Sequence, residues 1–241
     1  MEKEEKVIPQ IKICGLTRTE EAAYLNQIQA EYAGFVFWEK SKRNVDFVQA
    51  EEICHCLDKN ITRVAVTVSP NIKLLRQIEQ AGFDILQVHG ELHEEILEKS
   101  RIPIWQACNL KEPEDIEKLR RDSKIVGYVM DAATAGGGKT FDWAAGRQIL
   151  EKMRTAIMAG KTLVLAGGLN PQNIEDAVQI FSPDVVDVSS GVEGVCGKEK
   201  ALILEFAAKA RAKSYCNYSE PQATDMPAKL SFASDEASVC G

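Results

Sequence analysis

The stretch TLVLAGGLNPQNIEDAVQIFSPDVVDVSSG, residues 162–191, decides the fold. It opens on Thr162 to Ala166, an apolar run short enough for a buried strand and closed by Gly167-Gly168. Asn170 to Phe181 then places apolar residues at helical spacing, and Asp184 to Ser189 is apolar and strand-like again. Two strands joined through a helix form a crossover unit, and such a connection makes the strands parallel.

The same unit recurs back to the beginning of the chain. Strands are expected at Gln10 to Cys14, Tyr32 to Phe37, Thr62 to Val68, Asp84 to His89, Pro103 to Cys108 and Ile125 to Asp131. Helices are expected from Thr17, with a threonine as cap and Glu20 and Glu21 in the first turn. Others fall at Asp46 to Leu57, Asn71 to Ala81, Glu91 to Lys99, Glu112 to Arg121, Asp142 to Met158 and Lys198 to Ala212. Eight strands alternating with eight helices in this length predict an α/β protein with a single (β/α)8 TIM barrel over residues 10–212. An open doubly wound sheet is the alternative, disfavoured because no GxGxxG follows the first strand. Residues 1–9 read as a polar N-terminal extension. From 213 to 241 two prolines, many small residues and no sustained period read as a flexible, disordered tail.

Composition narrows the function. The 241 residues carry a formal net charge of -7, which argues against nucleic acid as partner but leaves room for a small phosphorylated substrate. No run approaches the roughly 18 apolar residues of a membrane span. The first ten residues are charged and lack a signal-peptide core. Seven irregularly spaced cysteines suit free thiols in a cytoplasmic setting. Cys54-His55-Cys56 resembles a metal cluster, but neighbouring residues on a helix point in different directions and no second cluster completes a zinc site; no metal is expected.

In a barrel the chemistry sits where strands end and the following loops begin. That rule selects Cys14 after the first strand, Arg43 after the second, His89 after the fourth and Asp131 after the sixth. Gly167-Gly168 follow the seventh and Ser190-Gly191 the eighth, the two loops where such barrels often hold phosphate. Each has a plainer reading. Cys14 is also a small hydrophobe, Asp131 a loop-fastening carboxylate, Arg43 a solvated charge, His89 a satisfied strand-end histidine, and the glycines simple turn formers. Strand alternation puts Lys12 on the face of Cys14, where its ammonium would lower the thiol's pKa. In a closed barrel strand eight lies beside strand one, so Lys12 is expected to pair with Asp187 inside the barrel, within about 6 Å, since a lone buried lysine is costly.

These stretches, in this order, resemble the phosphoribosylanthranilate isomerases of tryptophan biosynthesis. The resemblance rests on KICGLTR at 12–18, GFVFWEKSKRNV at 34–45, DILQVHGE at 84–91, GGGKTFDW at 136–143, LAGGLNPQNI at 165–174 and DVVDVSSGVE at 184–193. It implies an Amadori rearrangement without metal or organic cofactor, with Cys14 as general base and Asp131 as general acid. It also implies that Arg43 binds the anthranilate carboxylate and that the Gly167-Gly168 and Ser190-Gly191 loops hold phosphate. Other enzymes of the tryptophan pathway are candidate partners. One departure stands out: Ser41-Lys42-Arg43 lacks the proline usual before this arginine, which predicts a less preorganised clamp. The competing readings are another phosphosugar isomerase or epimerase barrel, and a catalytically silent phosphosugar-binding barrel.

Overall fold

Apolar residues occupy both faces of the strands, and a sheet buried on both faces needs helices outside and a filled interior. The computed structural model, which describes residues 8–108, 116, 119–131, 151 and 160–212, meets that need by closing the sheet. Its strands are β1 (Gln10–Cys14), β2 (Tyr32–Phe37), β3 (Thr62–Val68), β4 (Ile85–His89), β5 (Ile104–Cys108), β6 (Ile125–Asp131), β7 (Thr162–Ala166) and β8 (Val185–Val188). They pair in sequence order, all parallel, and β8 returns to β1, giving the expected closed barrel.

Between them run α1 (Thr19–Ile28), α2 (Phe47–His55), α3 (Ile72–Gln80), α4 (Glu94–Lys99) and α5 (Ile174–Phe181), with α6 (Lys200–Ala210) closing the described chain. The helices expected over 112–121 and 142–158, the loop over 132–140 and the tail from 213 lie wholly or mostly outside the described residues. Asp46 and Asn71 cap α2 and α3, their side chains accepting from the backbone N–H of Gln49 and Leu74. At α1 the threonine cap expected from the sequence is not used. The buried Glu21 carboxylate instead accepts from the Thr17 and Arg18 N–H groups and ties down the incoming chain.

Two cores result. A large one lies between sheet and helices, around residues such as Leu25, Ile53, Leu75, Phe181 and Phe206. A smaller one fills the barrel: Cys14, Val64, Val66, Ile85, Trp105, Val129, Val164 and Val185, with Tyr32 packed against it. Tyr32 and Trp105 meet with ring centroids 5.0 Å apart and close the floor of the interior. The inward rows therefore run Lys12, Cys14 on β1; Ile85, Gln87, His89 on β4; Val129, Asp131 on β6; and Val185, Asp187 on β8. Apolar below and polar above, the interior hands its titratable groups to one end.

The sequence expectation fails after β8. Lys198 is not the start of the last helix. A single 3₁₀ turn, Ser190–Val192, leads into a small antiparallel hairpin of β9 (Glu193–Gly194) and β10 (Gly197–Lys198). Lys198 is fixed there by its own N–H donating to Glu21 Oε1 and its carbonyl accepting from Arg18 Nη2.

Candidate active site

Cys14 is the last residue of β1, buried, and pairs in register with Gly34 on β2. The missing side chain of Gly34 is what makes room: a Cβ there would lie 2.9 Å from Cys14 Sγ and 3.1 Å from Lys12 Nζ. Lys12 is fully buried and donates to Asp187 Oδ2 at 2.8 Å, well within the expected limit. Burial works against its charge, but Asp187 and the thiol outweigh that and hold its pKa above the usual lysine value. The strand register places Lys12 opposite Asp187, so the pair is built by the barrel itself.

The thiol corrects one expectation. Lys12 does pull the Cys14 pKa down, as does Lys198, but burial is the larger effect and Asp187 adds to it. The net shift is upward, so the resting group is the thiol. A thiolate formed there is a strong base with two buried ammonium groups near it.

Across the mouth, Asp131 ends β6 and is half-buried. The strands β7 and β8 lie between β6 and β1, so acid candidate and base candidate stand on different arcs of one rim. His89 ends β4 between them. Burial and the Lys12 charge lower its pKa, while Asp131 and Asp187 raise it less, so the ring is neutral at neutral pH. Those influences also show that His89, Lys12, Asp187 and Asp131 share one electrostatic neighbourhood. Gln87 donates from Nε2 to His89 Nε2 at 2.8 Å, which leaves the ring proton on Nδ1. Gln87 Oε1 and Asp187 Oδ1 are buried without a hydrogen-bond partner among the described residues.

The two expected anion loops are in contact. Gly167 and Gly168 both have left-handed backbone, φ 86° and 65°. A Cβ on Gly191 would sit 1.9 Å from the Leu169 carbonyl oxygen, so that glycine is required by the other loop rather than by its own turn. Asn173 Nδ2 donates to the Gly168 carbonyl at 2.9 Å, and Asn170 N–H to Asn173 Oδ1 at 2.9 Å, stiffening the first loop. Ser190 lies exposed beside it.

Arg43 is not a solvated charge. Its Nε and Nη2 donate to Glu193 Oε1 and Oε2 at 2.5 and 2.8 Å. Its own N–H donates to Ser41 Oγ at 3.1 Å, fastening the loop that lacks proline. Glu193 and Lys198, which motif reading missed as functional residues, belong to this rim. Cys54, His55 and Cys56 do not: they are half-buried and exposed positions at the end of α2 and its C-cap, and the described residues hold no group of three or more potential metal ligands. No helix among the described residues is long and apolar enough to cross a membrane.

The comparisons agree with this geometry. Residues 11–209 match the family model described as N-(5'phosphoribosyl)anthranilate (PRA) isomerase. The N-(5'-phosphoribosyl)anthranilate isomerase of Clostridium kluyveri is 39% identical over 203 residues, covering 83% of this chain and 97% of that protein. The enzyme of the same name from Thermoanaerobacter pseudethanolicus is 37% identical over 207 residues, with the same coverage. The crystal structure of the Thermotoga maritima isomerase superposes with a TM-score of 0.73 at 32% identity, covering 84% of this chain and 98% of that one. A further isomerase structure, in complex with reduced 1-(o-carboxyphenylamino)-1-deoxyribulose 5-phosphate, gives 0.71 at 30% identity, with 84% and 98% covered. Barrel, rim and relatives converge: the chain belongs to the phosphoribosylanthranilate isomerase family.

Proposed function

We propose that Cys14 and Asp131 work as base and acid on opposite sides of one sugar ring held in this mouth. The reaction is the family's, a step of tryptophan biosynthesis: N-(5'-phosphoribosyl)anthranilate becomes 1-(2-carboxyphenylamino)-1-deoxyribulose 5-phosphate. Asp131 gives its proton to the ring oxygen, the bond from that oxygen to C1′ breaks, and the anthranilate nitrogen becomes an iminium. Cys14, as thiolate, removes the proton from C2′; that electron pair becomes the C1′=C2′ double bond while the C=N π pair returns to nitrogen, giving an enolamine. The enol hydroxyl then loses its proton, C1′ gains one, and the ketose results. The iminium nitrogen is the electron sink, so the step itself calls for neither metal nor organic cofactor.

The remaining rim residues bind. Arg43 holds the anthranilate carboxylate by a charge-assisted pair. The touching Gly167-Gly168 and Ser190-Gly191 loops take the phosphate on their backbone N–H groups. His89, neutral and with its proton on Nδ1, donates to the substrate from the third side. A free-thiol base suits a reducing cytoplasm, where the described cysteines, all unpaired, would stay so.

The observation that carries this reading is the shared mouth: Cys14 and Asp131 are both inward residues at the same end of parallel strands. Cys14→Ala and Asp131→Asn test it. Each should lower turnover on the order of 10²- to 10⁴-fold, the usual worth of a positioned acid or base, while product binding survives. Turnover near wild type in either variant would discard the role of that residue. Growth of a tryptophan auxotroph lacking this step, complemented by the wild type and by neither variant, separates the isomerase from a silent phosphosugar-binding barrel.

A further inference from the structure

Two lysines are buried beside Cys14, and each is held by its own carboxylate. Lys12 has Asp187. Lys198, whose side chain is 1% exposed, has Glu193, with Nζ donating to Oε1 at 2.7 Å. The second pair does more than neutralise charge. Lys198 Nζ also donates to the Ser189 carbonyl at 3.2 Å and to Ser189 Oγ at 3.3 Å. Ser189 Oγ in turn donates to the Cys14 carbonyl at 2.9 Å. On the other side the Glu193 carboxylate takes the Nε–Nη2 edge of Arg43 with both oxygens, and Lys42 Nζ stands 3.5 Å from Oε2.

Read from end to end, this is an unbroken set of contacts: Arg43, Glu193, Lys198, Ser189, backbone of Cys14. We propose that Glu193 and Lys198 are paired positioning residues that tie the carboxylate clamp to the catalytic base. The proposal rests on the reading of Arg43 as clamp and Cys14 as base. Glu193 grips the guanidinium along its Nε–Nη2 edge with both carboxylate oxygens and so fixes its orientation. Lys198 pins the ends of β8 and β1 together and supplies positive charge near the thiol. The hairpin β9–β10 exists to carry both groups, since it delivers Glu193 and Lys198 as directly opposed residues in register. Among the described residues Glu193 faces three cations at once; burial alone would raise its carboxyl pKa, but the hydrogen bonds and charges of Arg43 and Lys198 outweigh that and hold it at about 2.

The test is steady-state kinetics on full-length Glu193→Gln, Lys198→Met and Lys198→Arg, with Arg43→Ala as reference. Glu193→Gln should raise KM for phosphoribosylanthranilate by about tenfold with a smaller fall in kcat, because the clamp is misaimed rather than removed. Lys198→Met should lower kcat. It should also move the pH dependence of iodoacetamide alkylation at the Cys14 peptide to higher pH, since a cation has gone. Lys198→Arg should return that pH limb toward wild type. The combined Glu193→Gln/Lys198→Met variant should lose less than the product of the single losses.

An Arg43→Ala variant with raised KM beside a Glu193→Gln variant with unchanged KM would overturn the proposal while leaving the clamp standing. Unchanged KM in Arg43→Ala would instead remove the clamp reading itself. If Glu193→Gln fails to fold, the alkylation limb of Lys198→Met decides: an unmoved limb refutes the link to the base.

Discussion

The two flanks of the barrel mouth are built on different plans. On the β8–β1–β2 flank nearly every polar group is charged and paired: Lys12 with Asp187, Lys198 and Arg43 with Glu193. Among the described residues the β4–β6 flank carries a neutral His89, an amide at Gln87 with an orphaned oxygen, and a half-buried Asp131. The difference suits the chemistry proposed for each flank. A thiolate facing a substrate must be stabilised by cations that are already in place, and buried cations need carboxylates of their own. Among the described residues, the groups that share Asp131's flank are the neutral His89 and the uncharged Gln87 amide.

The comparison can be broken most severely at Asp187. Asp187→Asn leaves the Lys12 ammonium, fully buried, without its counter-charge. Breaking a buried pair from one side costs about 3–5 kcal/mol, so the midpoint of urea unfolding should fall sharply. Gln87 lies on the opposite strand row, equally buried but uncharged. Gln87→Met gives up one neutral hydrogen bond to His89 and also removes the unsatisfied carbonyl oxygen, so its net effect should stay within about 1 kcal/mol. Equal losses in the two variants would show that the flanks are not energetically distinct.

How much of this was legible in the chain follows the same division. The eight strands could be read because buried parallel strands are continuous apolar runs, and their order in the barrel fixed that Lys12 would meet Asp187. Cys14, Arg43 and Asp131 could be placed because each ends such a run or follows it closely. Glu193 and Lys198 could not. Two-residue strands have no period, so the apolar spacing that follows draws Lys198 into the expected last helix. The partners of Glu193 include Arg43, 150 residues away in sequence, which no local pattern announces. The thiol's direction of shift was also hidden, since it depends on how burial weighs against charge rather than on which charges are near. The helix at α5 begins only at Ile174, not Asn170, because Asn170 and Asn173 spend their side chains fastening the glycine loop.

Space, rather than charge, offers the next test of the base flank. Gly34 is the strand residue whose absent side chain admits both Cys14 Sγ and Lys12 Nζ. Gly34→Ala crowds two groups that cannot both move without disturbing the ion pair. Overpacking of this kind costs about 1–3 kcal/mol. Activity should fall beyond what stability explains, because the thiol itself is displaced. A variant with normal kcat and normal stability would mean that the thiol has room it does not show.

The gentlest test uses pH, and it separates the flanks by where each loses stability. On the acid flank the folded pKa of His89 lies below its usual value of 6.5. A depressed pKa means that the folded state resists the proton. The stability this group contributes is present above 6.5 and is lost as pH falls through the lowered folded value. On the base flank the Glu193 carboxyl drops from 4.5 to about 2. Its contribution is present above 4.5 and is lost only as pH falls toward about 2. Thermal midpoints of wild type and His89→Gln should therefore differ by a constant amount above pH 6.5 and draw together below it. Wild type and Glu193→Gln should keep their difference down to pH 4.5 and lose it only below. If both differences closed over the same interval, the two flanks would be titrating as one network, and the division drawn between the Glu193 side and the His89 side would not hold.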